Sequence, residues 1–391
     1  MKGLLIVLAT LLTGCYSEKT CFKGNLRWKT ANGNIILRGK HIFHLKGINW
    51  WGQESPVAAP HGPDRRGKKP LTFFLDFLQE HKFNVLRLHH SVQMIFDNPV
   101  TKLNKAANPD IYGMKALDLM EHVIDEAGKR GILIVIDRHT LGYYDNPGLW
   151  YDNTYTEEKV LEHWDVVMKR FGLKWNIFAI DLMNEPHKPA DWHTGNRSID
   201  WDSEAKREIN YINQRYPDYK GFFMVEGVCC GLKDKWFTKM RQYPFSTGDK
   251  RLDRRIIFSP HSFRPGQEGN KPLPEGMPEA WEKMWGWVKE ETGHATVLGA
   301  WGADYDNPLG KQWMDTLVAF MKKKCYNDNI YFCLNALSWS SGKGILQDDW
   351  TTPVKAKMDI LESLQPHPSW LTKEDDKFCF EPGQAPPCPT L

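Results

Sequence analysis

The chain has 391 residues, 51 Lys and Arg against 48 Asp and Glu, a formal net charge of +3 and 41% hydrophobic residues. That near balance of charge excludes a polyelectrolyte partner, and Arg65-Arg66-Gly67-Lys68-Lys69 is too short for more than a solvated loop, so no nucleic acid is expected. The length suits one large domain with a solid core, and no internal repeat divides it.

From the N-terminus, Lys2, the apolar run Leu4 to Leu12 and the small residues Thr13-Gly14 read as a secretory leader over residues 1–14. The run is too short to cross a bilayer core of about 30 Å, so no transmembrane segment is expected. Secretion follows as the expectation. The run "LTGC" ending at Cys15 also fits a bacterial lipoprotein box, which makes a lipid anchor on Cys15 the alternative. Eight Cys in an exported chain suggest disulfides, with Cys379 and Cys388 pairing in the tail. Asn196-Arg197-Ser198 matches a glycosylation acceptor.

Next, Leu26 to Thr30 and Ile35 to Arg38 flank Asn32-Gly33, the signature of a hairpin that would cap the bottom of the domain. Eight short apolar runs follow: Ile42 to Trp50, Asn84 to His90, Ile132 to His139, Ile177 to Glu185, Gly221 to Gly227, Arg255 to His261, Ala295 to Gly302 and Asn329 to Ala336. Most end in polar or aromatic residues, as buried parallel strands do when they deliver side chains to the rim of a sheet. Amphipathic stretches suited to helices lie between them, at Tyr112 to Arg130, Thr156 to Phe171, Asp202 to Tyr216, Met277 to Thr292 and Leu309 to Lys324. This alternation predicts an α/β fold, a (β/α)8 TIM barrel over residues 15–365, whose functional residues gather at the C-terminal ends of the strands. The segment 366–391 holds six Pro and no amphipathic period, and reads as a tail on the surface.

The strand ends carry a recognisable series of motifs. "NVLRLHH" contains Arg87 and His90, "IDRH" ends at His139, "MNEPH" contains Asn184 and Glu185, and "SPHSF" contains His261 and Phe263. In this order and spacing they resemble glycoside hydrolase family 5, the cellulase and mannanase family. The likeness runs from Leu26 to Leu364 through "KGINWWG", "SIDW", "FFMVEGV" and "GILQDDW", which look like bacterial endoglucanases of that family.

The resemblance implies a retaining glycosidase, with Glu185 as acid/base and Arg87, His90, His139, Asn184 and His261 binding the sugar. Three positions depart from it. The Glu expected after the seventh strand, the family's nucleophile, is Ala300; the Tyr expected after the sixth is Phe263; and the Trp after the eighth aligns with Cys333, although Trp339 follows it closely. Retaining hydrolysis needs two carboxyl groups about 5 Å apart, and loss of the nucleophile costs on the order of 10⁴ in rate. Without a like charge beside it, Glu185 should also ionise more readily. Asp304 or Asp306 could only substitute by reaching back from the following loop.

Seventeen Trp are more than one barrel core requires, and several fall at strand ends or in the loops after them. Trp50, Trp51, Trp301 and Trp339 are expected to present sugar-stacking faces, whereas Trp164, Trp281, Trp285 and Trp287 belong to helix packing. His89, His90, His139 and His261 lack the ligand spacing of a zinc site, so neither metal nor cofactor is expected. The resulting expectation is an exported monomer that binds a β-linked polysaccharide without hydrolysing it. The alternatives are an endo-β-glucanase that uses a substitute carboxylate or whose nucleophile was replaced by Ala, and a structural matrix protein.

Overall fold

The computed structural model describes residues 18–229, 236–263, 276–335 and 344–388. The leader, Cys15 and Trp339 therefore lie outside the described residues. Six parallel strands run in sequence order, Lys46–Trp50, Val85–Ser91, Leu133–Thr140, Ile177–Asp181, Phe222–Val225 and Ile256–Phe258, each paired with its predecessor. The last barrel strand, Asn329–Tyr331, pairs with Lys46–Trp50. The gap between sixth and eighth strands is filled by residues 296–302, through the bridges Phe258 to Thr296 and Leu298 to Asn329 and the short pairing of His261–Phe263 with Ala300–Gly302. The sheet thus closes on itself, and the predicted (β/α)8 barrel is what forms. The sixth strand, expected as one run, is interrupted at Pro260, which has no N–H to give to a ladder.

The helices follow their apolar periods. Glu157–Phe171 starts where Thr156 accepts the amide of Lys159, and buries Val160, Leu161, Trp164, Val167, Met168 and Phe171 on one face. Ala116–Lys129, Trp201–Arg215 and Pro308–Lys323 match the expected segments to within a few residues. The expected helix from Met277 to Thr292 is broken by a wide π-turn at Glu282–Gly286. There the missing side chain of Gly286 makes room for Phe320, whose ring would lie 2.8 Å from a Cβ. Trp164, Trp281, Trp285 and Trp287 are buried, as helix-packing residues should be.

The bottom of the barrel is closed by the predicted hairpin, Trp28–Ala31 paired with Asn34–Leu37 around Asn32-Gly33, both of which have positive φ. Trp28 packs edge-on against Phe43 and Phe178. The C-terminal segment differs from the expected tail. Trp370–Glu374 and Lys377–Glu381 form a second hairpin, and the latter strand pairs with Thr20–Lys23. Cys379 consequently stands opposite Cys21 in the ladder and bonds to it, while Cys388 bonds to Cys325, so the expected Cys379–Cys388 pairing is not formed. Cross-strand placement decided this, not nearness in sequence. Among the described residues no helix is long and apolar enough to cross a membrane.

Candidate active site

Strand alternation selects which side chains enter the barrel mouth. On the second strand Arg87 and His89 face inward, on the third Asp137 and His139, on the fourth Asp181. Arg87 is fully buried and holds the floor together: Nε donates to Asp181 Oδ2 at 2.8 Å, and Nη2 to Asp137 Oδ1 at 2.9 Å and Glu226 Oε1 at 3.0 Å. Further donations reach Asn49 Oδ1 at 3.1 Å and Asn184 Oδ1 at 3.2 Å. Burial works against the guanidinium, but the three surrounding carboxylates outweigh it and raise its affinity for the proton. Asp137 is held below the ordinary carboxylate range: burial opposes ionisation, and the charges of Arg87 and His139 overcome it. Asp181 goes the other way, its burial and its acidic neighbours pushing it well above that range against the charge of Arg87.

Glu185 follows the fourth strand at φ 50°, a left-handed conformation uncommon for a residue with a side chain. Glu226 holds it there by accepting its amide at 2.8 Å. The Glu185 side chain keeps 29% of its surface exposed, and its Oε1 lies 3.0 Å from His261 Nδ1. His261 Nε2 lies 3.1 Å from Glu226 Oε1, so the imidazole is clamped between two carboxylates. Although burial disfavours its charge, Glu226 and Glu185 raise His261 to about 9. Burial likewise tends to raise Glu185, but the hydrogen bond and charge of His261, with His139 and Arg87, bring it below its ordinary value. Glu185 is lowered in the direction expected from the sequence, but the cause is the positive charge of His261, His139 and Arg87 rather than the absence of a like charge.

The remaining walls are aromatic. His139 donates Nδ1 to Asp137 Oδ2 at 2.7 Å and stacks on His89, with ring centroids 4.1 Å apart. Trp51 leans on His139 and on Phe332, and Phe332 meets Phe263 edge-on at 5.1 Å. Trp236 and Phe263 flank His261. Such an arc offers apolar faces to the C–H surfaces of sugar rings while His139 and Glu185 offer polar atoms to hydroxyls.

Arg87, His139, Asn184, Glu185, His261, Phe263 and Trp51 thus converge on one mouth. His90, Trp50 and Trp301 do not. His90 alternates to the helix side, where its Nε2 lies 2.8 Å from Nε2 of His163; burial lowers His90 to about 3 and keeps it neutral. Trp50 lies between two inward neighbours and packs outward against Phe74, its Nε1 donating to the carbonyl of His61. Trp301 is fully buried, donates to Asn329 Oδ1 at 2.9 Å and meets Tyr331 edge-on. Sequence reasoning passed over Asn49, Asp137, Asp181 and Phe332, and weighed His89 only as a metal ligand. All but Phe332 were within reach: Asn49, His89 and Asp137 sit two residues from a selected position, and Asp181 follows the apolar residues 177–180. Cys333 is buried with its Sγ turned to the amide of Asn335, and Phe332 beside it supplies the aromatic surface at that strand end.

Ala300 stands beside His261 in the parallel ladder, about 4.8 Å away by ordinary strand spacing, and is 6% exposed. Asp304 is engaged elsewhere, its carboxylate accepting the amide of Asp306 in the turn before Pro308–Lys323. Glu226 is sealed beneath the floor. His89, Asp137 and His139 bring metal-ligating atoms within 4.8 Å of one another. The two imidazoles are nearly parallel, however, 8° between planes, so their in-plane lone pairs cannot meet at a metal about 2.1 Å from each nitrogen.

The sequence profile of Cellulase (glycosyl hydrolase family 5) matches residues 43–338. An endoglucanase of Paenibacillus polymyxa is 32% identical over 92% of this chain and 94% of its own length. The major extracellular endoglucanase of Xanthomonas campestris is 29% identical over 84% of this chain and 69% of its own. Among solved structures, the hyperthermophilic endocellulase of Pyrococcus horikoshii superposes with a TM-score of 0.79 at 28% identity, over 87% of this chain and 98% of that one. Two Glu-to-Ala variants and a Tyr-to-Phe variant of the P. horikoshii enzyme are likewise similar, each in complex with cellotetraose. With a closed barrel, a clamped Glu185 and a profile match across most of its length, the chain belongs to the cellulase family, glycosyl hydrolase family 5.

Proposed function

We propose that this protein is an exported, monomeric β-glucan-binding member of its family in which hydrolysis is lost. The observation that carries the reading is Ala300, which occupies the ladder position beside His261, the residue that grips Glu185. A retaining mechanism needs one carboxyl group to protonate the leaving oxygen and a second, about 5 Å away, to attack the anomeric carbon. Ala300 has no nucleophilic atom. Glu185, ionised at neutral pH, also lacks the proton that the first step requires. In this reading Asn184 and the ionised Glu185 bond sugar hydroxyls, His139 and His261 line the floor, and Trp51 carries a ring face.

The P. horikoshii complexes support binding without turnover, since single Glu-to-Ala and Tyr-to-Phe variants of that endocellulase hold cellotetraose. Here an Ala and a Phe occur together. Export is supported by the leader and by disulfides of a kind that persist in oxidising surroundings. Calorimetric titration with cellotetraose, run beside a reducing-sugar assay on soluble β-glucan, tests the reading. Heat of binding without sugar release is the expected result. Release at the rate of an ordinary endoglucanase, or no heat at all, would overturn it.

A further inference from the structure

We infer that the bottom of the barrel carries a second sugar site, a cleft beside Trp175 and Phe378 that takes an uncharged oligosaccharide; that this sugar is a β-glucan rests on the binding reading above. The cleft encloses about 410 Å³, within the range of about 300–1,000 Å³ that small-ligand sites occupy. Its lining includes Ile177, the first residue of the fourth strand, and Gly221, just before the fifth, whereas Glu185 follows the far end of the fourth. The strands therefore set the cleft and the mouth on the order of 15 Å apart, at opposite ends of the barrel.

Strand register builds the apolar wall. Phe22, Phe378 and Lys373 stand opposite one another across Thr20–Lys23, Lys377–Glu381 and Trp370–Glu374, and so share one face of that three-stranded sheet. Two residues along the same face, Phe380 and Leu371 are buried in the bottom core with Trp28 and Phe178. At the outer end the cover stops. Phe22, Phe378 and Trp175 are the half-buried residues at the edge of that core, with Phe378 6.0 Å from Phe22 and 5.8 Å from Trp175 between ring centroids. Leu173, which also lines the cleft, is 69% exposed. Rings ending on an exposed Leu offer the apolar surface that the C–H faces of sugars cover.

The polar rim decides the class of ligand. Asn25, Asp218 and Lys373 are exposed, and among the described residues their side chains make no hydrogen bond or ion pair within the chain. An amide, a carboxylate and an ammonium together supply donors and acceptors, which is what sugar hydroxyls require. An anionic ligand is disfavoured. Lys174 is already held by Glu121 at 3.0 Å and Asp125 at 2.7 Å, Lys220 donates to the carbonyl of Pro217, and Asp218 would repel a second negative charge. With sites at both ends of the barrel, one molecule can hold two polysaccharide chains, and two weak contacts on an insoluble polymer combine in avidity.

Titration calorimetry of the full chain with cellotetraose tests this, and is expected to count about two sites. Trp175→Ala and, separately, Leu173→Asp should each reduce the count to about one. The exposure of Leu173 keeps its replacement from disturbing the core, and the binding retained at the mouth reports that either variant is folded. A count that either variant leaves unchanged overturns the inference and leaves the binding reading standing. A single site that both variants remove and Trp51→Ala spares overturns the binding reading at the mouth and retains the inference. Absence of heat overturns both.

Discussion

The two sides of the barrel mouth differ in kind. Strands one to five supply a floor in which one guanidinium is shared by three carboxylates and two amides, and in which Glu185 is pinned at backbone and side chain. The seventh and eighth strands, with Phe263 from the sixth, supply Ala300, Phe332 and a buried thiol, Cys333. The first side is preorganised for a charge-handling reaction, and the second is suited to apolar contact. Positions that keep a buried ionic network together are costly to change singly, because every partner left behind is an uncompensated charge. A residue at the rim touches fewer such partners, and can change while the floor survives.

The largest effect should come from breaking the polar side. Arg87→Ala leaves Asp137, Asp181 and Glu226 without their shared cation and is expected to destabilise the fold by about 5 kcal/mol, read as a fall in the denaturant midpoint. Repairing the apolar side comes next: Ala300→Glu should raise hydrolysis of soluble β-glucan by about 10³-fold, with Phe263→Tyr in the same chain adding to it. If the double variant stays inert, the two sides have diverged beyond the loss of one carboxylate. Trp51→Ala, which removes the ring joining the two sides, should weaken cellotetraose binding about tenfold, measured by titration calorimetry.

The clamp on His261 makes a smaller, pH-dependent contribution. Its folded value of about 9 lies above the ordinary 6.5, so its stabilisation is complete below pH 6.5 and lost as pH rises through about 9. The depressed Glu185 contributes in the opposite sense, its share being lost as pH falls below its ordinary 4.5. Thermal melts should therefore fall by a few degrees between pH 7 and pH 10, and His261→Gln should flatten that limb. The smallest effect is expected at Trp301→Phe, which loses the bond to Asn329 and about 1 kcal/mol of stability but leaves sugar affinity unchanged. A tenfold drop in affinity there would place Trp301 in the cleft after all.

Legibility from sequence followed the same division. Arg87, His139, Asn184, Glu185 and His261 lie in contiguous strand-end motifs, and the alternation of apolar runs with amphipathic stretches was enough to announce a barrel. His90, Trp50 and Trp301 were misplaced because a strand-end position alone says nothing about which face a side chain takes. Period-two counting from Arg87 selects His89 over His90, and counting from Asn49 selects Trp51 over Trp50. Phe332 carried no such signal, since one more apolar residue in a buried strand is what any strand contains.

Residue chemistry by itself determined the barrel and set Glu185 and Ala300 at its strand ends, since these depend on hydrophobic period and on which functional groups exist. Tertiary structure decided what the groups became. Burial drew Asp181 up while Arg87 and His139 held Asp137 down within one cluster, two carboxylates drew His261 up to about 9, and the charge of that imidazole in turn lowered Glu185. It also chose Cys21 and Cys325 as partners for the tail cysteines and turned Trp50 and Trp301 into the core. Each of these outcomes depends on distances between residues far apart in sequence, and only folding sets those distances.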